Sequence, residues 1–330
     1  MATIISALVT IFGIMAFGAI TQRRGLFPAS MGQCLNQFVY WVSLPCLLFT
    51  QMCTIPMDTN TGALFWGGLA ASFIGYGLFY ALFSLGFRHN GPESTLRTLS
   101  CCFPNAAFYG LPFILMVFPG STDALNANMI CALLCTGVSI TADISLELLR
   151  HAREAGPDAP RLSRAATFRR IGRELAHNPM LIASFAGLCL SVGDVRPPEP
   201  LLRMTSMLGS TCAPCALFSL GMALALHMSG SFGPFSLKKS LVPLVLVSLG
   251  RLLLFPLLAF FVMRWAGCSG DMLAAATVTC AMPVAVMVYI FAERGKAGQA
   301  EVSASVVSST LLSLITLPLV MLTLQYFKFC

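Results

Sequence analysis

Apolar residues gather along this chain into runs of helical length, separated by short polar connections. Ten runs stand out, at about 3–21, 31–53, 62–87, 97–118, 125–148, 179–194, 203–227, 241–263, 272–292 and 302–326. A helix crossing a bilayer takes about 20 apolar residues, so the pattern predicts an all-α polytopic membrane protein with ten transmembrane helices. Met1–Thr21 has no basic start, and Arg23-Arg24 follow its apolar run instead of preceding it. It reads as the first span, not as a cleaved signal peptide.

Composition sharpens this picture. Of 330 residues, 57% are hydrophobic and 10% charged, and the mean hydropathy is +0.80. A surface facing water needs roughly a quarter of the residues charged, so most of this surface faces lipid. The net charge of +7 raises nucleic acid as a partner, but the placement of the charges argues against it. Lys and Arg sit in short loops, above all between Arg150 and His177. Fifteen of the 20 fall on one side of the alternating spans and four on the other, with Arg251 alone inside a run. The positive-inside rule makes the richer side cytoplasmic. Both termini are then extracytoplasmic, in a multi-pass protein of the cell (inner) membrane.

The two halves match. Trp41-Val-Ser-Leu-Pro45-Cys46-Leu-Leu-Phe49 aligns with Ser210-Thr-Cys-Ala-Pro214-Cys215-Ala-Leu-Phe218 at an offset of 169, and Pro112 with Pro283 at 171. This gives a first five-helix repeat over 1–149, a basic cytoplasmic loop over 150–178 and a second repeat over 179–330. Five is odd, so the second copy is inverted, the arrangement of many secondary transporters. A mid-helix proline kinks or breaks its helix, and broken backbone at membrane depth survives where it is protein-buried or lines a wet cavity. Pro45 and Pro214 read as kinks, and Pro112 and Pro283 as true breaks. Pro104 and Gly110 accompany Pro112 in the fourth span.

Other chemistry is sparse. Charges inside membranes are functional candidates by default. Arg251 lies midway along the eighth span, and Asp143 and Glu147 stand one turn apart on the fifth. Two readings stay open for Asp143: proton coupling, or a structural pair with Arg251, with Glu147 at the cytoplasmic interface. Cys212-Ala-Pro-Cys215 has no second CxxC or nearby His to complete a metal site, and cysteines inside apolar runs act as small hydrophobes. His89, His151, His177 and His227 sit at span ends or in loops, and no GxxxxGK[ST] loop occurs. Neither an enzyme, nor ATP-driven pumping by this chain alone, nor any cofactor is expected.

Phe103-Pro104-Asn105-Ala-Ala-Phe108-Tyr109-Gly110-Leu111-Pro112 resembles the Asn-x4-Gly-x-Pro motif in the fourth helix of the auxin efflux carrier (PIN-like) family. Ala281-Met282-Pro283, with Tyr289-Ile-Phe-Ala292-Glu293-Arg294, looks like the ninth helix of that family. The serine-rich run Ser308–Pro318 looks like its tenth. The short loop at 150–178 is similar to that of the bacterial branch, which includes malonate and other dicarboxylate carriers. The resemblance implies a bile-acid-symporter-like fold, with helices 4 and 9 broken and crossing. It also implies scaffold helices 1, 2, 6 and 7, a mobile transport domain of 3–5 and 8–10, a homodimer through the scaffold, and elevator-type alternating access. Val284-Ala-Val-Met287-Val288 departs from bacterial relatives, which often place a polar residue after the ninth-helix proline.

At such a crossover two half-helix N-termini present unpaired N–H groups and partial positive charge, enough to hold a carboxylate. The candidate substrate-binding residues are Asn105, Tyr109, Gly110, Pro112, Pro283 and Met287. Asn105 either donates to the ligand or caps freed backbone, and the two roles can coexist. Ser43 and Leu44, with Trp41, either line the scaffold wall or pack in the core. The chain is thus expected to be a secondary active transporter or facilitator of a small organic anion, a mono- or dicarboxylate of malonate-like or auxin-like type. Proton or sodium coupling is open. The rival is a transport-dead sensor of the same ligands.

Overall fold

The computed structural model describes residues 2–28, 30–53, 59–86, 91–154, 179–193, 195–228, 237–294 and 297–327. Most of the basic loop at 150–178 lies outside them. Every regular element among the described residues is helical, as the apolar runs predict. In chain order these are α1 (Ala2–Arg23), α2 (Met31–Phe38), α3 (Leu44–Met52), α4 (Thr59–Gly86), α5 (Pro92–Cys102), α6 (Leu111–Val117), α7 (Thr122–Glu154) and α8 (Pro179–Val192). They continue with α9 (Glu199–Ser210), α10 (Cys212–Met228), α11 (Leu237–Leu249), α12 (Phe255–Trp265), α13 (Gly270–Cys280), α14 (Met287–Arg294) and α15 (Gln299–Tyr326). Among the described residues, four stretches are long and apolar enough to cross a membrane: Thr59–Gly86, Glu199–Ala223, Leu241–Trp265 and Gln299–Tyr326. Large apolar side chains such as Trp66 and Phe261 point outward from them, as lipid-facing residues do.

Among the described residues, Pro243 and Pro318 lie inside α11 and α15 with no π turn before them, whereas three other prolines are carried through these rods behind π turns. The turns are Val39–Ser43, Ala106–Gly110 and Gly250–Leu254, and each ends two residues before a proline: Pro45, Pro112 or Pro256. In each, the residue just before the proline donates its N–H five residues back: Leu44 to Val39, Leu111 to Ala106, Phe255 to Gly250. In a regular α-helix the proline ring strikes the carbonyl four residues earlier. One extra residue in the turn swings that carbonyl aside, and the helix continues. Pro214 escapes differently: a turn at Thr211 separates α9 from α10, so Pro214 lies in the first turn of α10, where its missing donor is not needed.

Pro112, expected to break its helix, therefore does not. The break in the 97–118 run lies earlier, at Phe103–Asn105, between α5 and the π turn. Phe103 precedes Pro104 and is extended, at φ −105° and ψ 90°, the region to which a following proline drives a residue. In the second half the break does fall at Pro283, between α13 and α14. The two interruptions meet as one antiparallel bridge between Pro104 and Val284.

The rods pack in two sets, which α1 and α10 join through α6 and the Ala106–Gly110 turn. In one, α1 lies along α10, α2 also meets α10, and α3 packs on α8 and α9. In the other, α4 meets α5, α7 and α12, while α13 packs on α7 and α12, and α15 on α11 and α14. A bidentate pair clamps α5 to α15: Arg97 Nε donates to Glu301 Oε1 at 2.6 Å and Nη2 to Oε2 at 2.9 Å. The α1–α10 contact depends on reciprocal glycines. A Cβ at Gly18 would run into the main-chain oxygen of Phe218, and one at Gly221 into that of Met15. Small residues permit this backbone approach between membrane helices. Gly221→Leu should therefore destabilise the protein by about 3 kcal/mol, read as a lower melting temperature in detergent. Gly62→Leu, where a Cβ meets nothing within 4 Å, should melt close to the wild type.

Candidate functional site

A broken helix frees backbone groups, and inside an apolar protein each needs a partner. Around the Pro104–Val284 bridge they find one another first. Asn105 N donates to Pro283 O at 2.9 Å, and Ala285 N donates to Phe103 O at 3.1 Å. Val284 N, which points out of the bridge, donates to Ser309 Oγ on α15 at 3.1 Å. Pro104 holds the matching position on the other segment and has no N–H to satisfy. Ala106 O accepts from Asn128 Nδ2 on α7 at 3.4 Å, and Asn128 Oδ1 accepts from Thr279 Oγ1 on α13 at 3.0 Å. Asn128 thus touches both broken helices.

Four half-helix ends converge here. α5 and α13 bring C-termini, while the Ala106–Gly110 turn and α14 bring N-termini. Arg251, fully buried, serves the C-terminal pair: its Nη1 donates to Cys101 O at 2.8 Å and its Nη2 to Cys280 O. Its guanidinium lies 4.7 Å from the centre of the Phe255 ring. The side chains of Asp143 and Glu147 lie outside the described residues, although both positions belong to α7.

The N-terminal side is arranged differently. Asn105 precedes the π turn and is 1% exposed, and neither side-chain amide atom has a hydrogen-bond partner. The Tyr109 hydroxyl and Ser313 Oγ are 3.2 Å apart, and the Tyr109 ring meets Phe12 of α1 edge-on with centroids 6.1 Å apart. A Cβ on Gly110 would sit 3.0 Å from Asn128 Oδ1 and 3.3 Å from Met282. The glycine is there because its neighbours fill the space. Met287 opens α14 and is half-buried.

Asn105, Tyr109, Gly110 and Pro283 are thus brought together, whereas Pro112 lies beyond them inside α6. Ser43 is buried and shares a 2.7 Å hydrogen bond with Thr211, tying the second run to the seventh one residue away from Cys212, its match in the repeat. Leu44 is buried beside it, and Trp41 points outward at 61% exposure. Core packing is the arrangement observed for Ser43 and Leu44. Sequence reasoning missed Asn128, Thr279 and Ser309. A signal for one of them existed: Ser305, Ser309 and Ser313 recur every fourth residue along one buried helix face.

A family model described as "Membrane transport protein" matches residues 3–321. The chain belongs to this family of auxin efflux carriers. The likeness read from the motifs around Pro112 and Pro283 therefore extends over nearly the whole chain. A relative in the family is the "Putative malonate transporter" of Rhizobium meliloti (strain 1021), 24% identical over 318 residues that span 96% of this chain and 94% of the relative. Members of the family are membrane transporters of small molecules, not enzymes.

The crossover bonds predict a measurable asymmetry along α15. Ser309→Ala strands the Val284 N–H and should lower stability by about 1–3 kcal/mol, seen as a fall in melting temperature. Ser308→Ala removes a hydroxyl that donates back into its own helix, to Ser305 O at 3.3 Å, and should change melting little.

Proposed function

We propose that this auxin efflux carrier relative is a secondary carrier of a small dicarboxylate of the malonate class, bound at the crossover. The observation that carries the reading is the Asn105 amide: buried, without a partner, and placed at the start of a half-helix. A buried polar group left unsatisfied costs free energy and requires an explanation. A ligand carboxylate supplies one, accepting from the amide nitrogen and from first-turn N–H groups at the positive ends of the half-helices. The described side chains around the crossover support an anion. They are Arg251, Asn105, Asn128, Tyr109, Thr279 and serines of α15, with no carboxylate among them. The relative's printed name points to the same substrate class.

The wider reading follows the sequence. The chain forms ten transmembrane helices in two inverted repeats, 1–149 and 179–330, with both termini outside the cell membrane. α1, α2–α3, α8 and α9–α10 form the scaffold and the dimer contact, and the remaining helices form a transport domain that moves as an elevator. The sorting of the rods into two packed sets supports this division.

Uptake of labelled malonate by proteoliposomes tests the reading. The wild type should accumulate or exchange malonate, and Asn105→Ala should lose about tenfold or more of that activity, the worth of a charge-assisted hydrogen bond. Its melting temperature should be unchanged or raised, because an unpaired buried amide has been removed. Malonate binding without any flux would make the protein a sensor. Equal uptake by Asn105→Ala and wild type would remove the crossover as the site.

A further inference from the structure

Arg251 is buried at the level of the crossover, on the π turn Gly250–Leu254. Among the described residues it pairs with no Asp or Glu. Its two donations go to main-chain carbonyls, Cys101 O in the last turn of α5 and Cys280 O at the end of α13. These are the C-terminal ends of the two broken helices, each bearing roughly half a negative charge. Carbonyl-bearing half-helix C-termini are where carriers with interrupted helices coordinate a mobile sodium ion or proton. Here a side chain that stays protonated at any working pH lies across both.

We infer that Arg251 is a resident cation. It is a positioning residue that fixes the C-terminal ends of both broken helices, with a permanent charge in the place a coupling sodium ion would take. The carrier is therefore indifferent to sodium. A planar fork suits the task, because two of its N–H groups reach two separate helix ends at once. What this means for transport rests on the crossover being the substrate site, but the charge itself can be read without any substrate.

Thermal melting of the purified full-length protein, in sodium, choline and low-millimolar guanidinium chloride at matched ionic strength, reads that charge. Wild type should melt at the same temperature in sodium and choline. Arg251→Met should melt about 10 °C lower in choline and recover part of the loss, saturably, with sodium or guanidinium. Arg251→Lys should remain closer to wild type and indifferent to sodium. A packing role alone would give a loss that no cation repairs, and that result overturns the inference. So does sodium-dependent melting of the wild type, or an Arg251→Met variant as stable as wild type. If Arg251→Met cannot be recovered folded, the lysine variant decides: folded and sodium-indifferent upholds the resident charge, and failure to fold removes it. Failure of malonate uptake by the wild type would overturn the substrate reading and leave these melting curves standing.

Discussion

Two helices stop in the apolar interior of this protein and must leave no backbone group stranded. Lipid and packed side chains offer no water to repair an interrupted ladder, so each freed N–H and C=O needs a partner from the chain itself or, on the proposed reading, from the ligand. The Pro104–Val284 bridge supplies the first, with Asn105 N on Pro283 O and Ala285 N on Phe103 O. Further partners come from three neighbouring elements: Asn128 on α7, Ser309 on α15 and Arg251 on the π turn before α12. That demand fixes which helices surround the crossover.

Prolines take two opposite parts in this architecture. Pro104 sits where a residue would otherwise turn its N–H away from the bridge, and its partner Val284 shows the consequence of having one, since it requires Ser309. Proline at 104 removes that obligation and forces Phe103 into an extended conformation. Pro45, Pro112 and Pro256 instead lie within helices, each behind a π turn that gives the ring room. The same residue type marks both breaks, at Pro104 and Pro283, and merely widens the turn before Pro45, Pro112 and Pro256; what separates these cases is whether a second chain segment stands ready to accept the freed backbone.

That distinction marks how far the sequence could be read. The apolar runs at 62–87 and 302–326 became α4 and α15 almost residue for residue, because continuous apolar helix is a local property. Choosing between Pro104 and Pro112 was not local. It required knowing that Val284 lies opposite and that Ser309 lies behind it, contacts far apart in the chain. Arg251 was conspicuous as a charge in an apolar run, but its partners are main-chain carbonyls, which carry no mark in the sequence. Asn128 lies near the start of the apolar run at 125–148, where nothing local marks it as a bridge between two broken helices. Ser309 and Ser313 fell in the serine-rich run Ser308–Pro318, without the buried face they share with Ser305 being recognised.

The polarity of the crossover gives meaning to the apolar segment Val284-Ala-Val-Met287-Val288, which departs from the pattern of bacterial relatives. On the proposed reading, the positive field at the crossover comes from helix N-termini, and the negative field of the helix C-termini is cancelled by Arg251. Charge recognition then belongs to the backbone and to Asn105. The segment after Pro283 is left to provide shape: Val284 and Ala285 commit their N–H groups to Ser309 and Phe103, and half-buried Met287 presents an adaptable apolar surface. A polar side chain there would add a donor to a place where the backbone already supplies them. Its absence is consistent with an anion site whose ligand carries a short apolar spacer next to its charge.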